Sequence, residues 1–430
     1  MTRRGSARGW WIRAMRDPVG SPTVEPMDTT ARRCGASASL IARARKGTMS
    51  TQLSEMNTSL QAVRTLAPTI VARSEEIERG RLVPPDLVER LTAAGCFRTL
   101  VPRSHGGAEL DPTADLRVVE ELARADGSVG WTVMIGSLAP VLLGKLPRAT
   151  FDALYATAPD VILAGTFNPT GVATPVDGGF AVTGQWSFAS GCQHCHWFVA
   201  HCIVDDGRQP PIRMMVLPPT DVEIKDTWSV SGLCGTGSHD FVVNDVFVPD
   251  ERSFVIWDEP CLDIPLLRIP ELSLSSLRLG AVAVGIAQGA LEEVTDLATG
   301  KVPLFSDGTL ASNPLFQNQL GDADARLRAA RTLLYADAAT LWDTALAGTP
   351  FSPDHRARIR ATATWVTGTA ASVVDTAYTA GGGTSIYSSS PLQRRLRDIH
   401  ALTQHFGVKL DTFTKAGAVL ASQDVDLTFL

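Results

Sequence analysis

The spacing of apolar residues changes twice along this chain, and no other sequence feature limits its architecture as strongly. Up to about Ala158, apolar residues recur every three or four positions, as at Leu60, Val63 and Leu66, which is typical of amphipathic helices. Short apolar runs then alternate with a period of two between clusters of Gly, Pro and Asp, which indicates strands. The helical period returns at Leu272. The chain is therefore expected to fold as helices, then strands, then helices.

The domain organisation follows from these changes and gives an α+β multidomain chain. Short, regularly spaced strands predict a small antiparallel β-barrel or sandwich in the centre. Two long helical patterns, Pro314 to Ala347 and Arg356 to Ala380, predict a C-terminal helical bundle. The predicted domains are an N-terminal helical domain at 56–157, a β domain at 158–268 and the bundle at 269–430.

Residues 1–55 differ from the rest of the chain in composition. They are rich in arginine, and Gly, Ser and Pro are scattered among them. No apolar core follows Arg3 and Arg4, so an export signal is not predicted. This segment is expected to be a disordered tail or a mis-assigned start, with the natural start at Met49 or Met56.

The overall composition excludes several classes of function. The 430 residues include 39 Lys and Arg against 45 Asp and Glu, and the net charge of -6 does not favour a nucleic-acid-binding surface. The sequence shows no apolar run of the roughly 20 residues that a membrane span needs. The 7 cysteines of this long chain are expected to be reduced thiols in the cytoplasm.

The densest group of chemically active side chains lies between Arg394 and Phe406. It contains His400 and His405, which are five residues apart and so do not share one face of a helix. Different roles are therefore expected for the two histidines. A charged but inactive helix face distributes its charges more evenly than this segment does.

The glycines and charged residues around this segment resemble the C-terminal signature of the acyl-CoA dehydrogenase superfamily. The matching residues are Gly382-Gly383, Pro391, Arg394 and Arg397-Asp398. The resemblance implies the fold of that superfamily: an N-terminal helical domain, a central β-barrel or sandwich and a C-terminal four-helix bundle. It also implies a homotetramer with shared flavin sites.

The catalytic carboxylate of the dehydrogenases is missing from this chain. In those enzymes a glutamate follows the Arg-Asp pair at a fixed distance, and that position is Phe406 here. Some dehydrogenases carry the base earlier, but the matching stretch Leu272 to Gln288 contains no Asp or Glu. An Arg-Asp pair followed by two histidines is instead similar to the oxygenase components of two-component flavin monooxygenases, such as the hydroxyphenylacetate, steroid-phenol and dibenzothiophene oxygenases.

A second motif, Gly184 to Gly191, also resembles this superfamily. The resemblance implies that Phe188, and with it Trp186, stacks near the flavin isoalloxazine ring. It further implies that the Ser190 hydroxyl hydrogen-bonds flavin N5 and helps to hold a C4a-hydroperoxyflavin, because a hydroxyl can donate or accept. Alternatively, Ser190 is a turn residue that precedes Gly191.

Other candidate cofactor residues come from the same resemblance. Thr166 and Asn168 lie in the loop that meets the flavin pyrimidine in the family. Gly382 and Gly383 correspond to glycines that approach the cofactor phosphates from the neighbouring subunit, where missing side chains allow close approach. Lys301 could supply a cation to phosphate, or it could be a solvated loop lysine.

His405 is the candidate catalytic base. A neutral imidazole is suited to removing a proton from a phenol or indole at neutral pH. Alternatively, His405 hydrogen-bonds the flavin hydroperoxide. His400 orients His405 or faces the bundle, and Arg397 and Asp398 are expected to form a structural ion pair.

The candidate substrate-binding residues are Phe97, Trp131 and His194, of which the first two suit an aromatic molecule. The segment Cys192 to His196 has a Cys-x-x-Cys spacing that is found in zinc sites. Alternate residues of a strand point to opposite faces, so these side chains would not converge. No metal site is therefore predicted.

The chain is thus predicted to be an oxygenase that uses FADH2 or FMNH2 and O2. It oxygenates an aromatic or polycyclic small molecule by means of a C4a-hydroperoxyflavin, with a separate NAD(P)H-dependent flavin reductase as its partner. The alternatives are an acyl-CoA dehydrogenase with an unrecognised base and a non-catalytic paralogue that acts as a flavin-binding or scaffold protein.

Overall fold

The structure is a computed structural model, and it describes residues 57–204 and 211–424. The prediction for residues 1–55 falls outside these ranges. Proline at the first turn and a capping aspartate begin the helix that follows Asp111, whose carboxylate accepts from the Ala114 N–H at 3.0 Å. The N-terminal helices are α1 (57–72), α2 (Ser74–Gly80), α3 (Pro85–Ala93), α4 (Pro112–Ala125), α5 (Gly127–Gly136), α6 (Ala139–Leu143) and α7 (Arg148–Leu154).

The strands that follow form one seven-stranded sheet in the order β5-β6-β2-β1-β3-β4-β7. Strands β1 and β3 run parallel, whereas every other described pair is antiparallel. The expectation of an antiparallel sheet is therefore wrong at this pair. Strand β2 lies between β1 and β3 in the chain and runs antiparallel to β1, so that β3 can return in the direction of β1. The strands are β1 (Leu163–Val176), β2 (Gly179–Ala189), β3 (Trp197–Ile203), β4 (Ile212–Leu217), β5 (Glu223–Lys225), β6 (His239–Pro249) and β7 (Ser253–Phe254).

The C-terminal part is helical, as the return of the helical period predicts. The long pattern that begins at Pro314 forms one helix, and the Ala- and Thr-rich pattern after it forms another. The helices are α8 (Pro265–Arg268), α9 (Glu271–Gly300), α10 (Pro314–Ala347), α11 (Pro353–Gly381), α12 (Pro391–Leu402) and α13 (Asp411–Leu420).

Helix α9 is the centre of the main apolar core. Its apolar side chains pack in one cluster with residues of the N-terminal helices, the sheet and the other C-terminal helices, such as Val119, Val199 and Val366. By length and composition α9 could cross a membrane, but 89% of its most apolar window is buried inside the protein. Gly285 lets α4 approach closely, because a Cβ there would lie 2.4 Å from the Glu120 carbonyl oxygen.

An ion pair with no exposed surface fixes α4 and α5 against α9. The Arg278 guanidinium lies 2.8 Å from the Asp115 carboxylate, and both side chains are 0% exposed. Arg278 also donates to the Met134 carbonyl at 2.6 Å and to the Ser137 hydroxyl, and the Thr99 hydroxyl donates to Asp115 at 2.8 Å. The pair therefore has the extra hydrogen bonds that two buried charges need.

Replacing Arg278 with methionine should lower the free energy of unfolding by about 3–5 kcal/mol, because Asp115 then remains buried without its counter-charge. The matched control is Arg328→Met, since the Arg328–Asp324 pair is 67% and 55% exposed and should change stability by at most about 1 kcal/mol. Urea unfolding of both variants measures the difference. Similar small losses in the two would contradict this role of Arg278.

Candidate active site

Three predicted site residues from distant parts of the chain meet in the fold. Trp131 lies on α5, Ser190 follows β2, and His405 follows α12. The Trp131 indole N–H donates to Ser190 Oγ at 2.9 Å, and the Trp131 and His405 rings meet edge to face with centroids 5.4 Å apart. The structure therefore joins one predicted substrate residue to both predicted catalytic residues.

A tight turn at the end of β2 places the Ser190 hydroxyl. The Ser190 N–H donates to the Phe188 carbonyl at 2.9 Å, and Phe188 and Gly191 have positive φ angles of 70° and 71°. Such a φ is unfavourable for a bulky residue like Phe188. The Gly191 N–H donates to the Thr236 carbonyl at 2.8 Å, which fastens the turn to the glycine-rich segment 232–238. This fastening stabilises the strained conformation.

Phe188 and Trp186 occupy different environments. Phe188 is 67% exposed, whereas Trp186 is 0% exposed, stacks on Phe241 at 4.9 Å and donates to the His201 carbonyl. In a regular strand the two rings would share one face. The positive φ at Phe188 and the register shift between Trp186 and Ala189 break that alternation. The prediction that Trp186 lies against a flavin is therefore wrong, because this side chain belongs to the core of the sheet.

The His405 ring is held as a neutral group with a defined proton. Its Nδ1 accepts from the Gly407 N–H at 3.1 Å, so Nε2 carries the proton of the neutral ring. Burial lowers the pKa of His405 to about 4, and the positive charges of Arg360 and Lys409 act in the same direction. In this arrangement His405 offers a ligand a donor at Nε2. Acting as the predicted base would require Nδ1 to leave its bond with Gly407.

A row of hydroxyl groups continues inward from Ser190. Ser190 Oγ lies 2.7 Å from Ser238 Oγ, which lies 2.7 Å from Thr236 Oγ1. Thr236 then donates to the Leu233 carbonyl at 2.8 Å. Sequence analysis missed Ser238 and Thr236, because a glycine-rich segment indicates a turn first. The signal in the sequence was the pair of hydroxyl residues on either side of Gly237.

The Arg-Asp pair of the C-terminal signature holds this same segment. Asp398 Oδ1 accepts from the Leu233 N–H at 2.6 Å, and Arg397 donates to the Ser231 carbonyl at 2.7 Å and pairs with Glu78. The expected ion pair between Arg397 and Asp398 is therefore wrong, since each residue binds another partner. Burial, together with the nearby Asp126 carboxylate, raises the pKa of Asp398 to about 7.

The predicted pyrimidine loop adjoins His405 through its neighbours. The β1–β3 register shifts between Thr166 and Gly171, and within this irregular part the Asn168 N–H donates to Thr166 Oγ1 at 3.2 Å. Between them, the Phe167 ring packs against Phe406 at 6.1 Å. Thr166 and Asn168, predicted to lie in a loop, thus lie in an irregular part of β1 that borders the cluster, and their contact with a flavin stays a prediction.

Lys301 and the two glycines lie together at the C-terminal end of α11. Lys301 donates to the Gly381 carbonyl and, at 2.8 Å, to the Thr384 hydroxyl. Gly382 has a φ of 57°, and nothing lies within 4 Å of a Cβ built on Gly383. Lys301 is therefore a bonded side chain rather than a solvated loop lysine.

Phe97 and His194 do not join the cluster. Phe97 is 0% exposed in the core of the N-terminal helices, where its ring packs against Gly136, so its predicted contact with substrate is wrong. His194 interacts with the Val83 backbone, and burial lowers its pKa. His400 pairs with Asp375 at 2.8 Å, where both side chains are half exposed. Among residues 57–204 and 211–424, no three His, Cys, Asp or Glu side chains are placed to hold a metal ion.

Comparison with known proteins decides the family. Residues 54–144 match the family described as Acyl-CoA dehydrogenase, N-terminal domain, and residues 277–410 match Acyl-CoA dehydrogenase, C-terminal domain. Indole-3-acetate monooxygenase of Pseudomonas putida is 36% identical over 81% of this chain and 90% of its own length. The flavin-dependent monooxygenase oxygenase subunit HsaA of Rhodococcus jostii is 31% identical over 80% of this chain and 93% of its own. The chain belongs to the flavin-dependent monooxygenases of the acyl-CoA dehydrogenase superfamily.

A solved structure supports the same relationship. XiaF from Streptomyces, in complex with FADH2 and glycerol, aligns with a TM-score of 0.82 at 25% identity and covers 89% of this chain and 98% of its own. As a flavin-dependent monooxygenase, the protein uses reduced flavin and O2. The acyl-CoA dehydrogenase alternative is not favoured, because the family's carboxylate position is Phe406 here.

The residues of this monooxygenase fit a flavin. Phe188 presents an exposed aromatic ring, which is the surface that a flat conjugated ring system stacks on. Ser190 Oγ retains hydrogen-bonding capacity beyond its bonds to Trp131 and Ser238, since a hydroxyl has one proton and two lone pairs. These two residues would hold the ring system, and Trp131 links Ser190 to His405.

Replacing His405 with glutamine should reduce the acid sensitivity of the fold. An ordinary imidazole takes up its proton near pH 6.5, whereas folded His405 does so near pH 4, so the folded state loses stability as the pH falls through this window. The contribution is below about 3 kcal/mol, and smaller to the extent that solvent reaches the ring. Urea unfolding at about pH 7 and about pH 4.5 tests it, with His400→Gln as the control. If the free energy of unfolding fell equally in wild type and His405→Gln between these two pH values, the prediction would be wrong.

Proposed function

We propose that this protein is the oxygenase component of a two-component monooxygenase that transfers one oxygen atom to an aromatic or polycyclic small molecule. The observation that carries the proposal is the convergence of Trp131, Ser190 and His405 in one cluster. When bound, reduced flavin would supply the two electrons that activate O2, of which one oxygen atom goes to the substrate and the other leaves as water. The protein binds and orients the flavin and the substrate, and it keeps water out of the site.

Each residue of the cluster has a role that its contacts support. Phe188 stacks against the flavin ring, and Ser190 hydrogen-bonds N5. His405 donates from Nε2 to an oxygen atom in the site, because its Nδ1 is occupied by Gly407. Trp131 contacts both Ser190 and His405 and forms an aromatic wall of the site.

An aromatic substrate suits the rings around His405. Its ring centroid lies 5.4 Å from that of Trp131 and 4.7 Å from that of Phe406, which in turn packs against Phe167. Aromatic side chains bind flat apolar rings through stacked and edge-to-face contacts. The names of the relatives, indole-3-acetate monooxygenase among them, agree with a substrate of this class.

The larger assembly is also part of the proposal. Relatives named as oxygenase subunits support a separate NAD(P)H-dependent flavin reductase as partner. We further propose a cytoplasmic homotetramer in which Gly382, Gly383 and Lys301 approach the cofactor phosphates of a neighbouring subunit. The same proposal includes three features of the fold. These are closure of the central sheet into a barrel, a four-helix arrangement of the C-terminal bundle, and domains that begin at residues 56, 158 and 269.

The test begins with flavin binding. Titration under anaerobic conditions with reduced FAD and with reduced FMN should show saturable binding of at least one of them. Subsequent mixing with isotopically heavy O2 and a panel of indoles and phenols should give a product that contains one heavy oxygen atom. Failure to bind either flavin would favour the non-catalytic paralogue. Binding with release of peroxide alone, for every substrate tried, would contradict the proposed reaction.

His405→Ala should lower the rate of product formation by about 10²-fold or more, because the site loses the ring that contacts Trp131 and the hydrogen-bond donor at its Nε2. His400→Ala is the matched control, since His400 is half exposed and paired with Asp375, and it should keep the wild-type rate. Product formation under saturating reduced flavin measures both. A His405→Ala enzyme as fast as the control would remove His405 from the mechanism.

A further inference from the structure

The hydroxyl groups in the row behind Ser190 can donate their hydrogen bonds in one direction only. A carbonyl cannot donate, so Thr236 uses its single proton on the Leu233 carbonyl. Ser238 must then donate to Thr236, and Ser190 must donate to Ser238. The indole N–H of Trp131 is a donor only and occupies one lone pair of Ser190. The proton of Ser190 is therefore already committed inward, away from any ligand.

What remains at Ser190 Oγ is one lone pair, which makes the group an acceptor. Flavin N5 carries a hydrogen atom in the reduced form, whereas in the oxidised form it has only a lone pair. We infer that Ser238 and Thr236 hold the Ser190 hydroxyl as an acceptor, so that the site selects reduced over oxidised flavin. This inference rests on the proposed function and assigns a specificity role to two residues that do not contact the flavin.

The far end of the row is fixed by the C-terminal signature. Leu233 has a positive φ of 52°, and its N–H donates to Asp398 at 2.6 Å. The residue before it, Gly232, packs so closely on α12 that a Cβ would lie 2.0 Å from the Arg397 carbonyl oxygen. The Leu233 carbonyl therefore points to Thr236 because α12 holds the peptide in this strained conformation. Asp398 is a positioning residue that acts through Leu233.

Two substitutions release the Ser190 proton without touching Ser190. In Ser238→Ala the acceptor of that proton is removed, and in Thr236→Val the proton of Ser238 loses its fixed acceptor. In both, the Ser190 hydroxyl can turn and donate to oxidised N5. The ratio of the dissociation constant for oxidised flavin to that for reduced flavin should fall by about 3–10-fold, the size of one hydrogen bond. Thr236→Ser keeps the hydroxyl and should restore the wild-type ratio.

Asp398 provides an independent pair of variants. Asp398→Asn keeps an oxygen that accepts from the Leu233 N–H and should leave the ratio close to that of wild type. Asp398→Ala removes this acceptor and should lower the ratio as Thr236→Val does. Circular dichroism and urea unfolding identify variants that are not folded. The result at Asp398 is interpreted separately from the results at Ser238 and Thr236.

The measurement is a pair of flavin titrations for each variant, anaerobic with reduced FAD or FMN and aerobic with the oxidised form. A lower ratio in Ser238→Ala and Thr236→Val, restored in Thr236→Ser, supports the inference. Equal weakening of both redox forms would overturn it, because the row would then only support the loop. Wild-type protein that binds both forms equally would overturn it too, whereas wild-type protein that binds neither would refute the proposed function itself.

Discussion

The buried pair of Arg278 and Asp115 is the interaction on which the site depends. Arg278 contacts α4 through Asp115 and α5 through the Met134 carbonyl, one turn from Trp131. The next residue of α9, Leu279, packs against Gly407, where a Cβ would lie 2.7 Å from its side chain. Gly407 in turn holds the His405 ring. One buried turn of α9 therefore contacts the neighbours of both Trp131 and His405, whose rings meet edge to face.

The C-terminal signature acts as a clamp on the glycine-rich segment rather than as an ion pair. Two adjacent side chains bind the two ends of the Ser231–Leu233 backbone, Arg397 at the carbonyl of the first and Asp398 at the N–H of the last. Arg397 also pairs with Glu78 at the end of α2. This small region of α12 thus connects the N-terminal helices, the sheet and the C-terminal helices beside the site.

Helical spacing predicted the long helices, because it is a local property. Ser190 and His405 came from motifs that resemble those of the superfamily, and Trp131 was named only as an aromatic residue suited to the substrate. Local sequence patterns did not predict the parallel β1–β3 pair, which depends on pairing between distant segments. The resemblance of one motif assigned both Trp186 and Phe188 to the flavin, and the positive φ at Phe188, which that motif does not reveal, separates the two side chains. Phe97 is apolar in either setting, so only the tertiary packing reveals it as core. Ser238 and Thr236 gain their role from proximity to Ser190, which no local pattern contains.

The row of hydroxyl groups also bears on how protons move. Conduction along such a row requires a proton source at one end, and this row ends on the carbonyl of Leu233, which has none to give. Reversing it would require all three hydroxyls to turn together and Thr236 to abandon its carbonyl. The Ser190 side of the site is therefore insulated against proton exchange with the interior. His405 also presents a donor at Nε2, because its Nδ1 accepts from Gly407. A proton held by the ligand of Ser190 must therefore leave towards solvent, and the lifetime of that proton is set on the open side of the site.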